Sequence, residues 1–538
     1  DTLNVTATAT SAINTAVDTL VANVTSGNLT VFETNGLEVA SANVAAGSLT
    51  LQLAAGDLTS SGNISAANDI TLNAVTGNVT VDNFVVAGGN VSLLAAAGKV
   101  EADTLAAQVQ GNLLTIRAQN TSSVNTSVNS LTANVTVGSL TIVEANDLSI
   151  ATNGVTAAGA VDINLTTGNL SGPGNIVAGT SITLNASAGN VTLTQNAGQV
   201  QAGGTLDLTA KNASAVNTNV ATLVANVTTG GLTVVETNGL AIGTDVVANG
   251  DIAITLTAGS ITGTGAINAT GGQNVSLNAS VGAITLGGVD QVTGNVLTLR
   301  AQNTSVVGTN VTTLGANVTA GDLTINESTS LNIGNNIAIN DVRATNITLN
   351  VADNLFGPGN IVATTNVTLI ADNITLTNRA GQVQAGGTLN VVSTGNAAIN
   401  TNVATLVGST GKLTVVEIDG LTIGSANLVA SDNVSITTGG PLTLTGAINA
   451  GVNNVTLNVT GGISGSGRVT ADTLNVTATA TSAINTAVDT LVANVTSGDL
   501  TVFETNGLEV ASANVAAGSL TLQLAAGDLT STGNRSEE

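Results

Sequence analysis

The sequence predicts an all-β fold and, within that class, a right-handed parallel β-helix (β-solenoid) of about 29 coils of 14–24 residues. Three observations favour it. Apolar residues make up 43% of the chain and aromatic residues 1%, so the core must consist of Leu, Val, Ile and Ala, which favour strands together with Thr. Short alternating phrases recur throughout the chain. Longer units that contain these phrases also repeat.

The basic element is a short strand in which a turn residue is followed by an apolar residue, a Thr or Ser, and a second apolar residue. Examples begin at Asp69 (DITL), Ser181 (SITL), Asn346 (NITL) and Asn366 (NVTL). Such alternation is typical of a strand with one buried face, so we expect the Thr or Ser to point outward. No segment shows a helical apolar period, which excludes an αβ solenoid. A β-propeller, which needs longer periods, is the alternative architecture.

A higher repeat is marked by six pairs of leucines that share one spacing, that of Leu3 and Leu20. The first leucines of these pairs are Leu3, Leu114, Leu206, Leu297, Leu389 and Leu474. When the first apolar residue of each short strand is taken as a marker, each repeat divides into five coils, and the first repeat contains one inserted coil. A solenoid tolerates an inserted coil because each coil contacts only its neighbours. We therefore expect one continuous solenoid over residues 1–538.

A long segment of the chain is duplicated. Residues 1–63 recur at 472–534 with only two differences, Asn28 against Asp499 and Ser61 against Thr532. Near-identity of this length exceeds what a fold requires and indicates a recent duplication or a longer array. The end of a β-helix exposes unpaired backbone groups and apolar side chains. We therefore expect the chain to associate with itself, as an end-to-end homopolymer or within a longer tandem array.

Several segments resemble the haemagglutinin-type repeats of filamentous haemagglutinin and related giant bacterial exoproteins. They are NVTLTQNAGQVQAGGTLDLTA from Asn190, SITLNASAGNVTL from Ser181 and NVTLIADNITLTNRAGQVQAGGTLNVV from Asn366. The resemblance covers nearly the whole chain. It implies the right-handed β-helix shaft of a secreted or cell-surface protein, often an adhesin or a biofilm component. If the chain is such an adhesin, surface glycans are its expected partners.

The charge composition limits the classes of partner. The net charge is −24, from 33 acidic and 9 basic residues, which disfavours nucleic acid and anionic membrane surfaces. No apolar run approaches the roughly 18 residues that cross a bilayer, so we expect no membrane span. The chain contains no cysteine, which excludes disulfides and cysteine metal sites.

Composition also bears on catalysis. β-Helix enzymes that act on polysaccharides need carboxylate clusters, a base and aromatic platforms, whereas this chain has no His, Tyr or Trp. We therefore predict that it is not an enzyme and uses no cofactor. The preferred function is structural: the shaft, or one protomer, of an extracellular or cell-surface filament. An adhesin stalk that binds surface glycans is the main alternative, and regular outward threonines leave ice binding as a minor one.

One glutamate recurs in every repeat, after the second short strand. These residues are Glu33, Glu144, Glu236, Glu327, Glu417 and Glu504. One interpretation is a metal or ligand site that occurs once per repeat, but a single carboxylate is a poor cage for a cation. The preferred interpretation is a solvated carboxylate in a turn, so we predict no metal.

About thirty Asn-x-Ser/Thr sequons form a second set of candidate sites. Representative asparagines are Asn4, Asn23, Asn78, Asn134, Asn226, Asn317 and Asn494. Many sequons follow from placing Asn at a corner and Thr on an outward face. The preferred interpretation is therefore Asn in left-handed turns or in stacked amide ladders. Glycosylation of exposed asparagines is the alternative.

Overall fold

The computed structural model describes residues 1–334 and 339–533, and the backbone of residues 535–537. The chain divides into two compact units, Asp1–Gln273 and Asn274–Glu538. In each unit, parallel strands stack as a β-solenoid, and the two units together contain about 26 turns. The all-β solenoid fold is thus confirmed. The right-handed winding and the single continuous body stay predictions. Within the described ranges, no helix is long and apolar enough to cross a membrane.

Unit 1 contains strands β1 to β29. Their bounds are β1 Thr2–Ala7, β2 Ser11–Thr15, β3 Thr19–Val24, β4 Leu29–Glu33, β5 Leu37–Val44, β6 Leu49–Leu53, β7 Leu58–Ser60, β8 Ile64–Ala66, β9 Ile70–Ala74, β10 Val79–Val81, β11 Val85–Ala87, β12 Val91–Ala95, β13 Val100–Ala102, β14 Val109–Ala118, β15 Ser122–Val135, β16 Leu140–Glu144, β17 Leu148–Ala157, β18 Val161–Leu165, β19 Leu170–Ser171, β20 Ile176–Ala178, β21 Ile182–Ala186, β22 Thr192–Leu193, β23 Val200–Ala210, β24 Ser214–Val227, β25 Leu232–Glu236, β26 Leu240–Ala248, β27 Ile252–Leu256, β28 Ile261–Gly263 and β29 Ala266–Ala269.

Unit 2 contains strands β30 to β57. Their bounds are β30 Val275–Ala279, β31 Thr285–Leu286, β32 Val292–Ala301, β33 Ser305–Val318, β34 Leu323–Glu327, β35 Leu331–Ile333, β36 Val342–Ala344, β37 Ile347–Val351, β38 Asn354–Phe356, β39 Ile361–Ala363, β40 Val367–Ala371, β41 Asn373–Leu376, β42 Val383–Ser393, β43 Ala397–Thr410, β44 Leu413–Glu417, β45 Leu421–Ala430, β46 Val434–Thr438, β47 Leu442–Leu444, β48 Ile448–Asn449, β49 Val455–Val459, β50 Ile463–Ser464, β51 Arg468–Ala478, β52 Ser482–Val495, β53 Leu500–Glu504, β54 Leu508–Val515, β55 Leu520–Leu524, β56 Leu529–Ser531 and β57 Arg535–Glu537.

Three strands make one turn in the regular part of unit 1. Strands β7, β8 and β9 form one turn and pair in parallel with β10, β11 and β12 of the next. Along one ladder Leu49 pairs with Ile70, which pairs with Val91, and all three side chains are buried. Each such aliphatic side chain contributes roughly 1.5–3 kcal/mol through burial. The neighbouring Thr50 and Thr71 pair with each other on the outer side, so the predicted alternation is confirmed.

The ladders change once in every higher repeat. One ladder splits: Leu131 of β15 pairs with Ile150, whereas Ala133 pairs with Val155, and a bulge separates the two registers. Another ladder ends: Val109 pairs with Thr126, but Thr126 then pairs with Glu144, the last residue of a strand in a neighbouring ladder. Because one ladder ends where another splits, each turn keeps three strands.

This change of ladders explains why the predicted count of about 29 coils, five per repeat, is wrong. When paired residues are followed from Ile116, which lies in the same strand as Leu114, four turns lead through β15, β17 and β20 to Val200. Leu206 belongs to a different ladder, in which it pairs with Ile182. A repeat therefore comprises four turns and one additional strand. The sequence count was too high because it treated markers in adjacent ladders as successive coils.

Candidate functional site

The recurrent glutamates are buried, so the expectation of a solvated turn carboxylate is wrong. Of these six side chains, none is more than 3% exposed. The physical reason is the strand alternation. In the segment Leu29–Glu33, Leu29 and Val31 point inward and Phe32 points outward, so Glu33 points inward as well. In the sequence, the turn residues that follow the glutamate obscured this alternation of inward and outward side chains.

The surroundings of Glu144 illustrate what the buried carboxylate does. Its Oε2 accepts hydrogen bonds from the N–H of Val128 at 3.1 Å and from Oγ1 of Thr126 at 2.7 Å. Its Oε1 accepts from the N–H groups of Ala145 at 2.8 Å and Asn146 at 3.2 Å. Burial away from water raises the pKa of Glu144, and these four hydrogen bonds offset part of that rise.

The carboxylate closes the end of a ladder. Thr126 and Val128 belong to the last strand segment of the ladder that ends in β15, and Thr126 is directly paired with Glu144. A buried backbone N–H at such a point needs an acceptor, which the next strand would otherwise supply. Glu144 Oε2 fills this role for Val128. The glutamate therefore replaces one missing backbone carbonyl with one carboxylate oxygen.

The same arrangement recurs in all six repeats. In each, the glutamate accepts from the N–H of a valine that follows the paired threonine by two residues, at 2.9–3.1 Å. The threonine–glutamate pairs are Thr15 and Glu33, Thr126 and Glu144, Thr218 and Glu236, Thr309 and Glu327, Thr401 and Glu417, and Thr486 and Glu504. A structural role at each ladder end explains why the residue repeats.

A buried glutamine is a second structural residue, which the sequence analysis missed. Gln199 donates from Nε2 to the carbonyl oxygens of Gly172 and Gly174, both at 2.8 Å, and its Oε1 accepts from the N–H of Gln195 at 2.9 Å. It thus fixes the loop before β23 to the preceding turn. The signal was a glutamine directly before a strand valine in four repeats, at Gln108, Gln199, Gln291 and Gln382. In the last repeat Arg468 occupies this place.

The fold does not bring the six recurrent glutamates together. They lie in separate repeats, and their oxygens already accept hydrogen bonds from backbone N–H groups. Within residues 1–334 and 339–533, no three His, Cys, Asp or Glu side chains come together as a metal ion would require. The hydrogen-bonded geometry fits a structural role for the carboxylates better than a ligand role.

The representative sequon asparagines lie on the surface. Asn4, Asn23, Asn134, Asn226 and Asn494 are exposed, and Asn78 and Asn317 are half-buried. None of the seven has a positive φ, so the left-handed interpretation is wrong for them. Stacked amides do occur: Asn43 donates to Asn23 Oδ1 at 3.2 Å, and Asn514 donates to Asn494 Oδ1 at 3.0 Å. Glycosylation stays a prediction.

The fold and the ladder ends define a repetitive β-solenoid protein in which a buried glutamate closes each terminating ladder. Comparisons of the chain with family models, curated proteins and solved structures gave no match. We therefore infer a function from the geometry of the solenoid and of its outer face.

Proposed function

We propose that this chain is the shaft, or one protomer, of an extracellular or cell-surface filament that grows by axial addition of β-solenoid turns. The carrying observation is that successive turns stack in parallel without a shift in register. In β6, which has the sequence LTLQL, Leu49, Leu51 and Leu53 are buried beneath β9. Strand β55 has the same sequence, so a turn supplied by another copy of the chain would bury its leucines in the same way.

The internal construction supports a shaft. Wherever a ladder ends within the described turns, a buried glutamate accepts the hydrogen bond of the terminal valine N–H. Unpaired strand edges promote uncontrolled association, so closing them inside the solenoid leaves the axial edges as the surfaces for assembly. The outward residues are mainly Thr, Ser and Asn, and the net charge of −24 opposes side-by-side aggregation.

The secreted location and the relationship to haemagglutinin-type exoproteins are part of this proposal. They draw on the repeated segments from Asn190 and Asn366, which resemble the shafts of such proteins. The parallel β-solenoid is compatible with that relationship.

Axial assembly is tested by placing a charge on the β55 edge. We expect the purified chain to form larger species as its concentration rises, measured by sedimentation velocity and negative-stain electron microscopy. Leu522→Lys should suppress these species, because a lysine at an inward position cannot be covered by another turn without burying its charge. Thr521→Lys is the matched control, since it adds the same charge to the outward face of the same strand.

The melting temperatures of both variants should stay close to that of the wild type, because Leu522 is only half-buried and Thr521 is exposed. A wild-type chain that sediments as a monomer at every concentration would refute axial assembly. Equal suppression by the two lysine substitutions would refute the role of the β55 edge.

A further inference from the structure

An open groove of about 650 Å³ lies on the outer face of unit 2, across its last turns. The residues that carry its chemistry are Asn427, Arg468, Asn485, Phe503, Thr505 and Gln523. They supply one aromatic ring, one guanidinium group, three amides and one hydroxyl. Such a mixture of an apolar platform and a few directed polar groups is typical of a small-molecule site.

Four of these residues form one outward ladder. Arg468 pairs with Asn485, Asn485 with Phe503, and Phe503 with Gln523. Successive strands are roughly 4.8 Å apart, so the ladder extends about 14 Å along the solenoid axis. The phenyl ring lies in its middle and is 41% exposed. The four side chains can therefore contact one extended ligand.

The linker before β51 is shorter than the loops before β14, β23 and β42. In those earlier repeats, carbonyl oxygens of the loop accept both amide hydrogens of an outward asparagine. Asn217 donates its amide hydrogens to the carbonyl oxygens of Thr194 and Asn196 in such a loop, at 2.9 and 3.1 Å. The corresponding Asn485 donates only to Ser466, at 3.2 Å. Asn485 thus retains donor capacity on the open face.

The loop of an earlier repeat also covers the residue that follows the buried glutamate. A Cβ built on Gly198 would lie 3.5 Å from the side-chain methyl of Thr237. In the last repeat the corresponding residue is Thr505, which lines the groove instead. Beside the shortened linker, Thr505 is exposed, whereas Thr237 is half-buried.

One residue distinguishes this groove from an accidental gap. Arg468 occupies the place that a buried glutamine holds in four repeats, and it makes no ion pair within the described ranges. The Glu504 carboxylate also lines the groove, but its oxygens accept hydrogen bonds from the N–H groups of Val488, Thr505 and Asn506. The Arg468 guanidinium therefore faces the groove without an ion-pair partner, although the chain has a net charge of −24.

We propose that this groove binds a carboxylated oligosaccharide. The Arg468 guanidinium would pair with a sugar carboxylate, for which its planar fork is suited. The Phe503 ring would support the apolar face of a pyranose, and the amides of Asn485 and Gln523 would bind ring hydroxyls. An acidic ligand also supplies the anion that Arg468 lacks. This site goes beyond the shaft function and does not depend on axial assembly.

The proposal is tested by calorimetric titration with tetrasaccharides of galacturonate, mannuronate and hyaluronate, with neutral galactan and dextran tetrasaccharides as comparison ligands. We expect at least one acidic tetrasaccharide to bind and the neutral ones to bind at least tenfold more weakly. Phe503→Ala should weaken binding at least tenfold. Arg468→Gln, which installs the residue found in the other repeats, should abolish the preference for acidic ligands and the salt dependence of binding.

Phe32→Ala is the matched control. Phe32 lies in the same duplicated sequence, between Asn14 and Gln52, and is 43% exposed. The nearest arginine in its ladder, Arg117, lies four strands away, whereas Arg468 lies two strands from Phe503. This substitution should leave binding unchanged, and all variants should melt at the wild-type temperature. The proposal is overturned if no acidic tetrasaccharide binds, if neutral ones bind equally well, or if Phe32→Ala weakens binding as much as Phe503→Ala.

Discussion

At the level of single residues, burial of a carboxylate is expected to destabilise the fold, and at Glu144 hydrogen bonds offset this effect. Its two oxygens accept four hydrogen bonds, three of them from backbone N–H groups. A buried donor without an acceptor costs about 1–3 kcal/mol, so the carboxylate prevents a larger loss at the ladder end. The residue is retained for its acceptors, and its charge is incidental to that role.

Replacing Glu144 with Gln should therefore destabilise the fold, although the two side chains are nearly isosteric. The amide NH₂ cannot accept a hydrogen bond, so one of the backbone N–H groups would face another donor. We expect a loss of about 1–3 kcal/mol in urea unfolding and faster hydrogen exchange at the Val128 or Ala145 amide. Glu101→Gln is the control, since its half-exposed ion pair with Lys99 contributes at most about 1 kcal/mol. Equal stability of the two variants would show that Glu144 does not close the ladder.

The buried glutamates also predict a pH dependence. Burial raises the pKa of Glu144, Glu327 and Glu417 above the ordinary value of 4.5. The folded state thus holds these protons more tightly than the unfolded state, and the resulting stability is fully present below pH 4.5 and lost as pH rises through the raised values.

We expect the melting temperature to rise as the pH falls from about 7 towards the ordinary glutamate pKa. This rise should be smaller when all three glutamates are replaced by glutamine. Protonated glutamate keeps its acceptor oxygens, so acid does not reproduce the damage of the glutamine substitution. An identical pH profile in the triple variant would show that other carboxylates control the effect.

At the scale of the element, the sequence predicted strands well and their connectivity less well. The alternation in Leu29–Glu33 predicts that the side chain of Glu33 points inward. The following residues, Thr34 and Asn35, instead suggested that Glu33 lies in an exposed turn. The division of one ladder between Ile150 and Val155 could not be predicted, because both branches carry the same apolar alternation. Local pattern determines which face of a strand is buried, whereas the pairing partner depends on contacts with the turns before and after it.

The groove illustrates the same limit. The exposed Phe503 and the substitution of Arg468 for glutamine are both visible in the sequence. Their position in one ladder, two strands apart, depends on the register that pairs Arg468 with Asn485 and Asn485 with Phe503. At the groove, the loop supplies one carbonyl acceptor fewer than in an earlier repeat. This difference became apparent only by comparison with the loop that contains Thr194 and Asn196. A site assembled from several turns thus requires the ladder register to be known.

At the scale of the whole molecule, the first repeat of unit 1 indicates how such a solenoid changes length. The interval from Leu3 to Leu114 is longer than the interval from Leu114 to Leu206. Strands β7, β8 and β9 form a complete turn, in which Leu58 pairs with Leu37 of the turn before and with Val79 of the turn after, without a shift in register. Each ladder would therefore remain in register if this turn were absent.

Deletion of residues 58–78 should accordingly preserve the fold. Leu37 would then pair with Val79, Ala42 with Val85 and Leu49 with Val91, each an apolar residue at an inward position, so neighbouring turns remain matched. We expect strand circular dichroism in proportion to length and a melting temperature within a few degrees of the wild type.

Deletion of residues 64–78 is the control. It leaves β7 in place and moves β10 into the ladder of β8, so every later strand in the unit is displaced by one ladder. This second variant should lose cooperative unfolding. If both deletions behave alike, the solenoid is not lengthened by whole turns.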